Sequence, residues 1–274
     1  MRFCKSACGV VCAFLLVAAT AARAEMVLVN GELLEKSGIA HEIRGLANTM
    51  QSGIDEAFQN GADIDAKFLT AMRESIPVAY RPDEILQFLD KGLEELLTAS
   101  EKRELLSHYD TPLGKRITEL EKAAVHANAE IKDFAAKPQT DTGRVTLYKK
   151  MDDAVGLTST GVTIAMSMSI ALQAGLLSAA DGPERVDIEA LKATEEKQRA
   201  QLTAATQKEV MATLAFAYRD LSNEDLTSYV AVLESPAGRK FSRGLGRLLA
   251  EALAEHAKEL GQLIFTNLQT RKTT

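Results

Sequence analysis

Tryptophan is absent from this 274-residue chain, and aromatic residues make up only 5% of it. Stacking platforms for bases or sugars are therefore not expected. Cysteine occurs three times, at Cys4, Cys8 and Cys12. Beyond them no disulfide, thiol nucleophile or thiolate metal ligand can form, and stability must come from the core alone. A surplus of basic residues is missing as well. Without Arg2, Lys5 and Arg23, 29 basic residues face 38 acidic ones, a net charge of −9. That balance disfavours nucleic acid and anionic membrane surfaces as partners. No His-Glu-x-x-His, Gly-x-Ser-x-Gly, phosphate loop or dinucleotide fingerprint is present. The four histidines are His41, His108, His126 and His256. His126 with Glu130, and His256 with Glu259, can share a helix face, but two ligands do not make a zinc site. No cofactor, metal site or catalytic constellation is expected.

The first 24 residues read as a secretory leader. Arg2 and Lys5 precede the uncharged apolar run Ala7 to Ala19, which is short for a membrane span. Ala22-Arg23-Ala24 then supplies small residues two apart, placing cleavage after Ala24. Export to the periplasm is the expectation, with no membrane attachment after the leader is removed.

The rest of the chain is rich in Ala, Leu, Glu and Lys and shows little strand-like alternation. Each of its prolines, Pro77, Pro82, Pro112, Pro138, Pro183 and Pro236, falls between apolar-periodic stretches, as helix boundaries do. The pattern predicts an all-α fold. Helices are expected near 27–37, 40–59, 63–76, 82–96, 99–109 and 112–136, then 142–155, 159–179, 184–200, 202–219, 223–233 and 236–269. The polar stretch 137–143 reads as a linker, dividing a unit at 25–136 from a second at 144–274.

These two units are similar in sequence. At an offset of 124, Leu97-Thr98-Ala99-Ser100-Glu101 matches Leu221-Ser222-Asn223-Glu224-Asp225. Asp110-Thr111-Pro112-Leu113-Gly114-Lys115-Arg116 matches Glu234-Ser235-Pro236-Ala237-Gly238-Arg239-Lys240. Upstream, Met50-Gln51-Ser52-Gly53-Ile54 resembles Leu172-Gln173-Ala174-Gly175-Leu176 at an offset of 122. The expected architecture is two similar multi-helix units in tandem, forming a helical bundle.

The repeated element has a direct physical reading. Thr98 with Glu101, and Ser222 with Asp225, fit capping boxes. Thr111 and Ser235 fit the next N-caps, with Pro112 and Pro236 at first helical positions, where no amide hydrogen is needed. Gly114 and Gly238 suit close approach of the preceding helix. A capped corner accounts for all these residues. Free amides beside Lys115 and Arg116, or Arg239 and Lys240, can also hold an anion or a partner. In both segments the acidic-hydroxyl-Pro-x-Gly-basic pattern resembles the bacterial family called domain of unknown function 2059. The resemblance is best at the corners and implies an exported, all-helical protein; it brings no catalytic residues.

Residues 154–180 carry no charge and contain Met166, Met168 and Leu172. The stretch reads as a central helix buried by its neighbours; an apolar pocket wall or a membrane-inserting segment are the alternatives. The last helix is amphipathic and long enough for bundle packing or for a homodimer seam. Without a catalytic motif, the first functional expectation is a non-catalytic periplasmic protein that binds an unidentified protein partner or supports the cell envelope. The second is a carrier of a small apolar or lipid-like ligand.

Overall fold

The computed structural model describes residues 29–59, 61, 65–125, 127–135, 141–182 and 186–270. The expected leader at 1–24, Pro138, Pro183, His126 and most of the linker lie outside the described residues. Among those residues every regular element is a helix. They are α1 (Gly31–Lys36), α2 (Ile39–Gln59), α3 (Ala66–Ala79), α4 (Pro82–Leu96), α5 (Ala99–Asp110), α6 (Pro112–Val125) and α7 (Asn128–Ala135). The second half has α8 (Thr142–Val155), α9 (Leu157–Asp181), α10 (Ile188–Glu196), α11 (Arg199–Ala217), α12 (Asn223–Glu234) and α13 (Pro236–Thr270). The fold is an all-α helical bundle.

Several boundaries differ from expectation for identifiable reasons. The single helix expected over 112–136 breaks after Val125. The Ala127 amide closes a tight turn onto the Ala124 carbonyl at 3.1 Å, and the Ala127 carbonyl starts the next helix. The redirected α7 sets Phe134 edge-on to Phe216 of α11, ring centroids 5.8 Å apart. Thr142 and Gly143 belong to α8 rather than to the linker, because Asp141 accepts from the Arg144 amide and caps that helix. Pro77 does not mark a boundary; it sits inside the last turns of α3. Proline cannot donate to the carbonyl four residues back. That carbonyl, on Arg73, accepts instead from Gln51 Nε2 at 2.9 Å.

Two cores form, and each draws on both halves of the sequence. The first unites Leu33, Leu34, Ile76, Ile85, Leu86, Leu89, Leu93, Leu97 and Leu105 with Phe241, Leu245, Leu248, Leu253, Leu260 and Ile264 of α13. The second unites Ile117 and Ala124 of α6 with Tyr148, Met151, Leu214, Tyr218, Leu221, Leu226, Tyr229 and Val230. The exchange is reciprocal at positions 124 apart in sequence. Leu97 and Leu105 stay in the first core while Ile117 crosses to the second. Leu221 and Tyr229 stay in the second while Phe241 crosses to the first. Each corner thus sends the helix after it into the opposite core. Burying a large apolar side chain contributes about 2 kcal/mol, so the crossing helices bind the halves firmly. The boundary between the sequence units is not a boundary between cores.

The uncharged helix α9 is not buried on all sides, as a central helix would be. Only 22% of its apolar stretch is buried. One face packs along α13, where a Cβ added at Gly175 would lie 2.0 Å from the Lys258 carbonyl oxygen. Backbone contact this close leaves no room for a side chain. The other faces of α9 meet α11 and α10, where Ser169 and Gln173 donate to Glu195, and border open depressions.

Candidate functional site

The corner residues come first, because the sequence singles them out. Thr111 Oγ1 accepts from the Gly114 amide at 2.9 Å, and Ser235 Oγ from the Gly238 amide at 3.0 Å. Both capping boxes form, at Thr98 with Glu101 and at Ser222 with Asp225. Pro112 and Pro236 open α6 and α13. Arg116 donates to the Asp220 carbonyl at 2.9 Å, and its repeat equivalent Lys240 donates to Glu101 at 2.9 Å. Each therefore reaches the start of the other copy's capped helix. Lys240, with the Thr98 amide and hydroxyl, holds the Glu101 carboxyl down at about 2. Arg239 donates to the Glu234 carbonyl, and Lys115 is exposed. The corner amides are taken by hydroxyls and most of the corner cations by the fold itself.

The Met-containing wall divides. Met168 and Leu172 face an apolar groove, whereas Met166 is buried apart from it. Residues two apart on a helix point about 200° away from each other, so Met166 and Met168 cannot share one wall. Facing Met168 and Leu172 across the groove are Met50, Gly53, Ile54 and Ala57 of α2, with Met72 of α3. Tyr80, Ala257 and Leu260 complete a groove of about 500 Å³. Met50 and Leu172 stand at matched positions of the two similar sequence segments, 122 apart. Over Gly175, α13 closes the gap; Gly53, its equivalent, has open space.

Tyr80 is among the residues lining this groove. The residue is 2% exposed, yet its hydroxyl has no hydrogen-bond partner among the described residues. Burial raises its pKa well above the ordinary value, so it remains an O–H donor. The Tyr80 ring lies 5.9 Å from that of His256, whose Nδ1 is 2.8 Å from the Ala79 carbonyl oxygen. A carbonyl only accepts, so Nδ1 carries the hydrogen.

A larger depression, about 950 Å³, lies on the other side of α9 between Thr160, Thr163, Ser167, Arg199, Arg243 and Arg247. Its guanidinium groups are engaged. Arg243 caps α8 through the Asp153 and Ala154 carbonyls, Arg199 pairs with Glu196, and Arg247 with Glu251.

Sequence reasoning missed a third feature. Glu121 Oε1 accepts from Tyr218 at 2.5 Å and from Tyr229 at 2.9 Å. His108 stacks on Tyr229 with centroids 5.8 Å apart and planes 9° from parallel, and also contacts Tyr109. Burial raises the pKa of Glu121. Burial and the neighbouring Glu121 charge raise that of Glu42, on α2, to about 7. Burial lowers that of His108, whose Nε2 has no partner among the described residues. The available signal was position. Glu121 stands four residues after Ile117 on the apolar stripe of α6, where the second copy has Leu245.

Searches of family models, curated proteins and solved structures find no match to this chain.

Proposed function

We propose that this protein is a non-catalytic carrier, exported to the cell envelope, that holds a single-chain amphiphile in the groove between α2 and α9. The observation that carries this reading is an apolar groove lined by Tyr80, whose buried hydroxyl has no hydrogen-bond partner among the described residues. A volume of about 500 Å³ suits a small ligand. Met50, Met72 and Met168 supply flexible, polarisable walls that adapt to an alkyl chain. An unmade hydrogen bond on a buried hydroxyl costs stability, and a ligand oxygen accepting from Tyr80 would remove that cost. Both the leader and the resemblance to domain of unknown function 2059 agree with an envelope location.

Titration with a fluorescent long-chain alcohol tests the proposal. Binding should saturate, and Leu172→Glu should weaken it about tenfold or more, since a carboxylate would have to sit against the chain. Phe88→Glu, on α4 and outside the groove, should leave it unchanged. Absence of saturable binding, or equal loss in both variants, would overturn the reading.

Protein binding keeps one specific observation. Phe88 is 42% exposed beside a depression lined by Gly92, Leu96 and Leu248. Phe88→Glu separates the readings, because it should abolish capture of a protein partner while sparing the alcohol.

A further inference from the structure

The rim of the groove carries a carboxylate. α9 has no charged residue between Asp153 and Asp181, so it brings none of its own. Ser169, which lines the groove, donates from Oγ to Glu195 Oε1 of α10 at 2.7 Å. Gln173, one turn further along α9, donates from Nε2 to the same oxygen at 3.0 Å and to Ser169 Oγ at 3.1 Å. The Glu195 carboxylate thus stands one hydrogen bond behind the groove lining, and all three residues are half-buried. Its second oxygen, Oε2, has no hydrogen bond among the described residues.

The fold leaves this charge without a counter-ion among the described residues. Helical spacing offers Lys192, three residues back, but Lys192 pairs with Glu189. Arg199, four residues on, pairs with Glu196. Lys197 is exposed, beyond the end of α10. On the other walls the charges are matched: Asp55 with Arg73 and Glu56 with Lys132 on α2, and Glu259 with Arg81 on α13. Lys258 of α13 is exposed and outside the groove lining.

Stability does not explain the placement. Glu195 stands in the last turn of α10, which has no basic residue there and buries none of its side chains. The carbonyl end of a helix carries partial negative charge and disfavours an acid. A ligand cation at Oε2 would relieve that cost. Such a cation needs the carboxylate in turn, because an unpaired ion in an apolar groove is costly. The same carboxylate repels an anionic head.

We propose that Glu195 is the head-group acceptor of the groove, selecting single-chain amphiphiles that carry a primary ammonium group and rejecting those that carry a carboxylate. Ser169 and Gln173 hold the side chain by Oε1 and leave Oε2 to the ammonium, while the alkyl chain lies against Met168 and Leu172. This substrate class rests on the carrier reading above.

Fluorescent probes of one chain length test it at neutral pH: a long-chain alcohol, the amino alcohol with an ammonium beside the hydroxyl, and the hydroxy acid with a carboxylate there. Each keeps a hydroxyl oxygen for Tyr80, so the comparison isolates the added charge. The amino alcohol should bind about tenfold tighter than the alcohol, the gain of one charge-assisted hydrogen bond, and the hydroxy acid more weakly than either. Glu195→Gln should erase the amino alcohol's advantage and leave the alcohol's affinity within about twofold. Glu196→Gln, the same change of net charge on the same helix, should leave the preference intact. Glu195→Lys should turn the preference toward the hydroxy acid. A merely structural role for Glu195 would move all three affinities together, and that outcome overturns the proposal. So does an amino alcohol that binds no tighter than the alcohol, or an equal loss of preference in Glu195→Gln and Glu196→Gln. In each of those cases saturable alcohol binding leaves the carrier standing. No saturable binding of any probe sinks the carrier, and the head-group acceptor falls with it.

Discussion

Gly114 and Gly238 hold the same place in two corners. A Cβ on Gly114 would fall 2.2 Å from the His108 carbonyl oxygen, and one on Gly238 would fall 2.1 Å from that of Val232. His108 and Val232 are themselves 124 apart, so both glycines meet the backbone of the preceding helix at equivalent points. Backbone cannot rotate aside as a long side chain can. Gly114→Ala and Gly238→Ala should each cost about 1–3 kcal/mol, the usual range for overpacking. Thr111→Ala and Ser235→Ala, which remove only the cap, should each cost about 1 kcal/mol. Denaturant unfolding of the four variants checks both the size and the pairing. A corner pair that differs by several-fold would show that the two copies are not doing the same structural work.

Crossing helices make a prediction about the whole chain. Ile117 lies in the second core and Phe241 in the first, each away from its own half. A protease site inserted between Ala136 and Asp141 should therefore yield two fragments that stay together. They should elute as one species in native buffer and separate only in denaturant. Independent elution without denaturant would mean the exchanged helices contribute little. Unfolding of the intact chain should likewise follow a single transition, because neither core is complete without the other half.

Tyr80→Phe should have opposite effects on stability and binding. It removes a buried hydroxyl that has no partner among the described residues. The free protein should become more stable by on the order of 1 kcal/mol, since the unmade hydrogen bond disappears with its atom. Affinity for the fluorescent long-chain alcohol should fall, since the ligand oxygen loses its donor. A destabilised variant would show that the hydroxyl is satisfied in solution, and the case for a ligand oxygen there would go with it.

The helices and corners were legible because their signals are local. Thr98 and Glu101, or Ser235 and Gly238, are three residues apart and their geometry is set by one turn of helix. Pro77 misled because its interruption is repaired at long range, by Gln51 on another helix. The exchange of Ile117 and Phe241 left no local trace, since an apolar stripe does not say which partner it meets. Met166, Met168 and Leu172 were grouped by proximity in sequence, and helical geometry then placed Met166 elsewhere. Glu121 was visible only against the repeat, as a charge where the other copy has Leu245. Tyr80 carried no signal at all, because a buried tyrosine usually finds a partner.

Stability against pH gives the last prediction, and its sign follows from three groups. Glu42 has an ordinary value of 4.5 and is raised to about 7 in the fold. A raised acid favours the folded state while it is protonated, so its contribution is complete below 4.5 and is lost as pH rises through about 7. The loss is on the order of 3 kcal/mol at most, shared with Glu121, whose shift has the same direction. His108 works oppositely. Burial lowers it from 6.5, so the unfolded chain takes up its proton first, and stability falls as pH drops below 6.5. Between about 4.5 and 6.5 the two effects oppose, and the wild type should show little slope there. Glu42→Gln removes one side of the balance. The variant should gain stability relative to wild type above pH 7 and should lose it on acidification below 6.5, as the histidine contribution is uncovered. Urea unfolding across this range measures both limbs. A Glu42→Gln protein that parallels the wild type at every pH would mean that Glu42 is ionised at neutral pH without cost, and that the pair of carboxylates is not coupled.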